Sequence, residues 1–228
     1  MVSGGLLSGS VRASYDRVAA DYAARVGGEL AGKPLDRALL DSVAERATVR
    51  GRPVGDLGCG PGHVAAYLAA RGVPAVGVDL SPGMLAEGRR AWPGLRSVVG
   101  DLRALPLGDA VLTAAVAFYS LIHLPPGDEV TALAEIRRVL APGGELLAAV
   151  HVGDEVRHLD RWWGHRVSVD FRFFRVAELT GWATAAGLRV VDVVERDPYE
   201  GVEAATRRAY LRAVRPGSAD TRRGSDRP

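Results

Sequence analysis

Apolar residues over the first fifty positions recur at three- and four-residue steps, whereas from Pro53 onward they gather into short runs separated by helical stretches. Over residues 10–26, "SVRASYDRVAADYAARV" puts Val11, Tyr15, Val18, Tyr22 and Val26 on one stripe, which predicts an amphipathic helix stopped by Gly27-Gly28. A second helix is predicted from Pro34 to about Val49, with Leu35, Leu39, Leu40 and Val43 as its apolar face. Beyond it the pattern predicts strands near 53–57, 74–79, 96–100, 111–118 and 145–151, and helices near 62–71, 82–91 and 129–140. Such alternation marks βαβ units around a parallel sheet. The link 101–110 has room only for a turn. "LAPGGELLAAVH" reads as a helix stopped by Pro142-Gly143-Gly144 and a strand launched from it.

Residues 153–174, "GDEVRHLDRWWGHRVSVDFRFF", interrupt the alternation with aromatics, charges and two of the five histidines, as an inserted lid would. The pattern then resumes with a helix from about Val176 to Ala186, Gly187 as its C-cap, and strands at "LRVVDVVER" and "RRAYLRAV". Too few residues join these two strands for a helical crossover, so they are expected to form an antiparallel pair at the edge of a mostly parallel sheet. The expected organisation is a flexible tail over 1–10, one domain over 11–214, and a disordered polar tail, "RPGSADTRRGSDRP", over 215–228.

Composition narrows the function classes. The chain has 228 residues, 47% hydrophobic and 25% charged, which suits one domain with a substantial core. Its formal charge is +2 with scattered arginines, so the dense basic run of a nucleic-acid binder is missing. A lone cysteine, Cys59, and no Cys/His cluster at metal-ligand spacing argue against disulfides and a metal site, and fit a reducing cytoplasm. The start lacks the basic-then-apolar pattern of a signal peptide, and the longest apolar run, 110–124, is shorter than the roughly 20 residues that span a bilayer.

The chemistry begins at "VGDLGCGPGH", residues 54–63. A glycine-rich turn between strand and helix lets backbone approach a ligand and offers free N–H donors. No lysine follows it as a phosphate-binding loop requires, and the G-x-G-x-x-G dinucleotide spacing fails because residue 63 is histidine and residue 65 alanine. Asp56, Gly58, Gly60 and Gly62 match Asp-x-Gly-x-Gly-x-Gly instead. With "VGVDLSPGML" (76–85), "VVGDLRALPL" (98–107), "AFYSLIHL" (117–124) and "IRRVLAPGGELL" following in order, the chain resembles a class I S-adenosylmethionine-dependent methyltransferase over about 11–214. "YDRVAADY" is similar to the helix that closes over the cofactor in small-molecule members. One departure is Thr113, where the family often has an aspartate before the fourth strand.

The resemblance implies an α/β, Rossmann-like, doubly wound, mostly parallel seven-stranded sheet with an antiparallel last strand, two N-terminal helices and a lid. It implies S-adenosylmethionine held by Tyr15, Tyr22, Asp56, Gly58, Cys59, Gly60, Asp79, Leu80, Met84, Asp101, Leu102 and Phe118. Asp79 would accept the ribose hydroxyls, Asp56 would favour the ammonium, Asp101 and the Leu102 amide would meet the adenine edge, and Met84 would pack on its ring. These acids suit a cofactor that carries a sulfonium and a diol but no phosphate. The bland readings stand beside them. Asp101 has an Asx turn as its alternative, and Tyr15 and Tyr22 equally suit core packing.

His123, after the fourth strand, and His151, at the end of the fifth, are the candidate general bases, with a structural histidine as the alternative. Tyr119, His123, Trp162, Trp163 and Arg172 are the candidate substrate contacts, and Phe171, Phe173, Phe174, His158 and His165 share the lid segment. The implied reaction is methyl transfer to a small-molecule acceptor. Its rivals are structural use of the cofactor for a non-methylating step such as cyclisation, a non-catalytic binding module, and a nucleotide-dependent oxidoreductase.

Overall fold

The computed structural model describes residues 3–217, so residues 1–2 of the expected N-terminal tail and 218–228 of the C-terminal one lie outside it. The chain runs α1 (Ser3–Val26), a 3-10 turn (Glu29–Gly32), α2 (Pro34–Arg50), β1 (Val54–Leu57), α3 (His63–Ala69), β2 (Ala75–Asp79), α4 (Pro82–Ala91) and β3 (Arg96–Val99). After the bridged turn at Asp101 and Ala104 come β4 (Leu112–Phe118), a 3-10 turn (Leu121–His123), α5 (Glu129–Val139) and β5 (Leu140–His151). Then follow β6 (Val156–Trp162), β7 (His165–Arg172), α6 (Val176–Ala185), β8 (Arg189–Arg196) and β9 (Arg208–Val214).

Seven strands form one sheet in the order β3-β2-β1-β4-β5-β9-β8, and β9 alone runs opposite to the other six. The antiparallel pair predicted at the edge is present, with β9 inserted between β5 and β8. Period-two alternation sends successive β4 residues to opposite faces. Ala115 and Ala117 join the core beneath α5 and α6, where Leu133, Ile136 and Leu179 are buried. Ala114 and Val116 join the core beneath α2 and α3, with Leu40, Val43 and Leu68. The strand order reverses between β1 and β4, and such a switch point opens a crevice at the carboxyl ends of the strands.

Two element limits differ from the pattern. The first helix begins at Ser3, ahead of the tail boundary expected at residue 10. β5 begins at Leu140 and takes in Pro142-Gly143-Gly144, with its register against β4 shifting between Leu112 and Ala114. A Cβ at residue 144 would stand 2.8 Å from the Ala141 carbonyl oxygen, and the glycine lets the irregular stretch stay against the sheet.

The lid segment is a β-hairpin of β6 and β7 across a Trp163-Gly164 turn, both residues at positive φ (49° and 87°), as a type I′ turn requires. The hairpin lies on α1. Ser10 Oγ donates to the Ser168 carbonyl at 2.7 Å, and the Ser168 N–H donates to Ser14 Oγ at 2.9 Å. α1 is fixed in turn to α4, because Asp16 accepts from Ser81 Oγ at 2.5 Å and from the Gly83 N–H at 2.8 Å. No helix among the described residues is long and apolar enough to cross a membrane.

Candidate active site

After β1 the chain must reverse beside the end of β4 to enter α3. Gly58 has φ +77°, and a Cβ there would stand 2.2 Å from Ser120 Cβ, so only glycine lets the two loops meet. Gly60 has φ +54°, and an added Cβ would find Tyr22 Cε1, at 3.6 Å, as its nearest neighbour; the bare backbone leaves an open cradle under that ring. Asp79, closing β2, accepts the Gly60 N–H at 2.7 Å and the Ser81 N–H at 2.8 Å, and burial raises its pKa. Asp56 is buried on β1 and accepts the Ala65 N–H at 2.9 Å, capping α3 from a distance. Burial pushes its carboxyl up to about 7, with Asp79 adding to the rise and His63 and the Ala65 N–H opposing it.

These groups line a cavity of about 410 Å³, within the roughly 300–1,000 Å³ of small-molecule sites. Its roof is aromatic: Tyr15 and Tyr22 from α1, Trp162, Trp163 and Phe171 from the hairpin. Ring centroids lie 5.5 Å apart for Tyr15 and Trp162 and 5.8 Å for Tyr22 and Trp162, edge to face. Phe118, Tyr119, Cys59, Leu80, Leu102 and Asp101 complete the parts predicted from sequence. Tyr119 has φ +55°, a left-handed backbone uncommon for a side-chain-bearing residue. Cys59 is a buried thiol whose pKa burial raises.

Asp101 serves both of its readings. It lines the cavity, yet Oδ1 accepts the Arg103 N–H at 2.9 Å, an Asx turn, and Oδ2 pairs with the Arg103 guanidinium at 2.6 Å. Met84 departs from expectation. It sits in the first turn of α4, 0% exposed among Val18, Ala19, Val167 and Val169, so it supports the wall from behind rather than facing the cavity. Arg172 departs as well: its guanidinium pairs with Glu129 at 2.5 Å and donates to the Leu124 carbonyl at 3.0 Å, because the buried Glu129 carboxylate needs a counter-charge. Phe174 packs on Trp182 in the main core, and Phe173 stacks on His151. His158 pairs with Asp170 at 2.6 Å and His165 with Asp21 at 2.8 Å, both at the surface of the lid.

Of the candidate bases, His123 has both nitrogens engaged. Nδ1–H donates to the Asp170 carbonyl at 2.9 Å, which leaves Nε2 to accept the Tyr15 hydroxyl at 2.7 Å. Burial pushes its pKa down to about 4. His151 borders the same cavity.

Seven charged or titratable wall residues were not among those predicted for the site: Arg12, Glu29, Lys33, His63, Arg103, Glu203 and Arg208. Lys33 Nζ lies 2.7 Å from Glu29 and 3.6 Å from Glu203, and His63 Nε2 lies 3.2 Å from Glu29. Glu203 also pairs with Arg196 at 2.6 Å and Arg208 at 3.1 Å. The one available signal was that Lys33 is the chain's only lysine.

A family model described as a methyltransferase domain matches residues 54–144. A demethylmenaquinone methyltransferase of Beutenbergia cavernae is 41% identical over 113 residues, covering 50% of this chain and 45% of the relative. The chain spans about half the length of the curated relatives it matches. In fold it resembles the 1,6-didemethyltoxoflavin-N1-methyltransferase of Burkholderia thailandensis, at TM-score 0.70 and 24% identity over 95% of this chain and 92% of that one. It also resembles the (4+2)-cyclase SpnF, at TM-score 0.62 and 25% identity over 80% and 81%. The glycine loop, the strand-end acids and the strand order are all in place around residues 54–144, the stretch that matches the methyltransferase-domain model.

Proposed function

We propose that the chain transfers the methyl group of S-adenosylmethionine to a nucleophile on a small molecule and releases S-adenosylhomocysteine. The carrying observation is the set of strand-end carboxylates, Asp56 and Asp79, around a glycine cradle open at Gly60 beneath an aromatic roof. That donor set fits the cofactor. Asp79 keeps lone pairs for the ribose hydroxyls beyond its two backbone bonds, and Asp56 offers charge to the ammonium. Gly58, Cys59 and Gly60 would leave room for the methionine tail, with Tyr15 and Tyr22 as the residues nearest its carboxylate. Leu80, Leu102 and Asp101 would hold the adenine end, and Phe118 and the lid rings would offer π systems to the sulfonium.

When bound, the cofactor supplies an electrophilic methyl carbon. The chain's own contribution is to orient both partners and to exclude water under α1 and the hairpin. Tyr119, Trp162 and Trp163 line the space left for an acceptor.

The likeness to a cyclase supports a second reading, in which the same cofactor site organises a non-methylating step. Cofactor carrying an isotopically labelled methyl group separates them. Methyl transfer predicts adenosylhomocysteine and labelled acceptor in equal amounts, both lost in Asp79→Ala. An acceptor transformed without label, and without adenosylhomocysteine, would establish the second reading.

A further inference from the structure

His123 and His151, the two candidate bases in the cavity wall, are held in opposite ways. His123 has no nitrogen to spare. The His151 ring is clamped between Tyr119, with centroids 4.9 Å apart at 30°, and Phe173, 5.2 Å apart at 29°. Its Nδ1 lies 2.9 Å from Thr206 Oγ1, and that hydroxyl also lies 3.5 Å from the Ala204 carbonyl oxygen. With the proton on Nδ1, the hydroxyl accepts from the ring and its own proton is left for that carbonyl, an arrangement that serves both groups. With both faces stacked and Nδ1 taken, the Nε2 edge is what His151 brings to the cavity, and Nε2 has no hydrogen-bond partner among the described residues.

We infer that His151 Nε2 is the base that takes the acceptor's proton, and that Thr206 is the positioning residue that selects its tautomer. The inference rests on the methyl-transfer reading. As the acceptor heteroatom bonds the methyl carbon and the cofactor's sulfur keeps the pair from the broken bond, the acceptor's proton passes to Nε2. Nδ1–H, already directed at Thr206, then steadies the imidazolium.

The surroundings of His151 restrict the acceptor. Burial first, then Arg208 on β9, His123 and Arg157 on β6, push its pKa down to about 4, with Glu203 opposing. The ring is therefore neutral at physiological pH but a weak base. An aliphatic amine, titrating near 10.4 as lysine does, arrives as an ammonium that such a base leaves protonated. A carboxylate arrives ionised and needs no base. A ring-conjugated O–H or N–H, neutral like a phenol that titrates at about 10, becomes strongly acidic only as the methyl bond forms, and a weak base suffices at that moment. A flat acceptor of this class also matches the Tyr119, Phe171 and Trp162 walls.

Nitrogen-15 NMR of the histidine rings tests the assignment in the ligand-free and adenosylhomocysteine-bound protein, with His151→Gln identifying the signal. The expected state is neutral with the proton on Nδ1, titrating near 4. Thr206→Val mixes the tautomers and lowers kcat about tenfold with KM for S-adenosylmethionine unchanged, and Thr206→Ser restores both. Turnover is read as adenosylhomocysteine release on a panel of phenols, ring N–H heterocycles and aliphatic amines. Phenols or ring N–H compounds are expected to react, with at least about 100-fold loss in His151→Gln and cofactor binding retained. A proton on Nε2, full turnover in His151→Gln, a preference for amines, or silence across the panel would overturn the inference. Failure of the wild type to bind cofactor would instead overturn the methyl-transfer reading and leave the tautomer result standing.

Discussion

A carboxylic acid buried with no guanidinium or ammonium against it keeps its proton, and Asp56 does so up to about pH 7. Its folded pKa lies above the unfolded value of 3.8, so the native state holds a proton that the unfolded chain gives up across that window. Stability contributed by this group is present below about pH 4 and falls as the pH rises toward 7. Denaturant unfolding at points across that range should show the fall, and Asp56→Asn should flatten it. An ammonium beside the carboxylate reverses the preference. Cofactor binding near pH 6.5 should therefore release protons, visible as a buffer-dependent heat in calorimetry and absent in Asp56→Asn. Asp56 and Asp79 were legible because strand, glycine and acid recur at fixed spacing. Met84 and Arg172 were misplaced because direction within a first helical turn or a lid strand is set by tertiary neighbours. Lys33, Glu203 and Arg208 were invisible because a single charge far along the chain carries no pattern.

At the scale of elements, α1 and the hairpin β6–β7 form the roof, and Tyr15 ties that roof to the floor through His123. Tyr15→Phe strands the buried Nε2 and should lower unfolding free energy by about 1–3 kcal/mol. Urea denaturation checks this, and an unchanged midpoint would show that the tie contributes nothing. The loop between β8 and β9 is held by Glu203. Burial raises its pKa, but Arg196, the Tyr199 N–H, Arg208 and Lys33 outweigh that and hold it at about 2. A depressed carboxylate stabilises the fold above its unfolded pKa of about 4.5, and that stabilisation is lost as pH falls from there toward 2. Glu203→Gln should destabilise the protein by about 3 kcal/mol at neutral pH and remove this part of the acid limb. The lid was recognisable from its composition but not as strands, since both faces of β6 carry exposed charges and the turn is Trp-Gly rather than Asn-Gly. β5 was read as starting after Pro142-Gly143-Gly144 because proline and two glycines ordinarily break a strand.

For the whole molecule, seven strands and their order place the ends of β1, β2, β4 and β5 around one crevice, and every predicted strand is present. The βαβ alternation was legible because parallel strands need crossover helices. The insertion of β9 between β5 and β8 was not, since a short connection shows only that two strands pair and not which of them lies inside. The cavity gathers residues from α1, the glycine loop, β4, β5, the hairpin and the β8–β9 loop, so a ligand that fills it joins elements distant in sequence. The central claim is that this ligand is S-adenosylmethionine, seated on Asp79. Isothermal titration of wild type and Asp79→Ala with S-adenosylmethionine, adenosylhomocysteine and NAD tests it directly, with circular dichroism confirming that the variant is folded. The account predicts roughly micromolar binding of the first two ligands, lost in Asp79→Ala, and no binding of NAD. Tighter binding of NAD, or no binding of either sulfur compound to wild type, would contradict it.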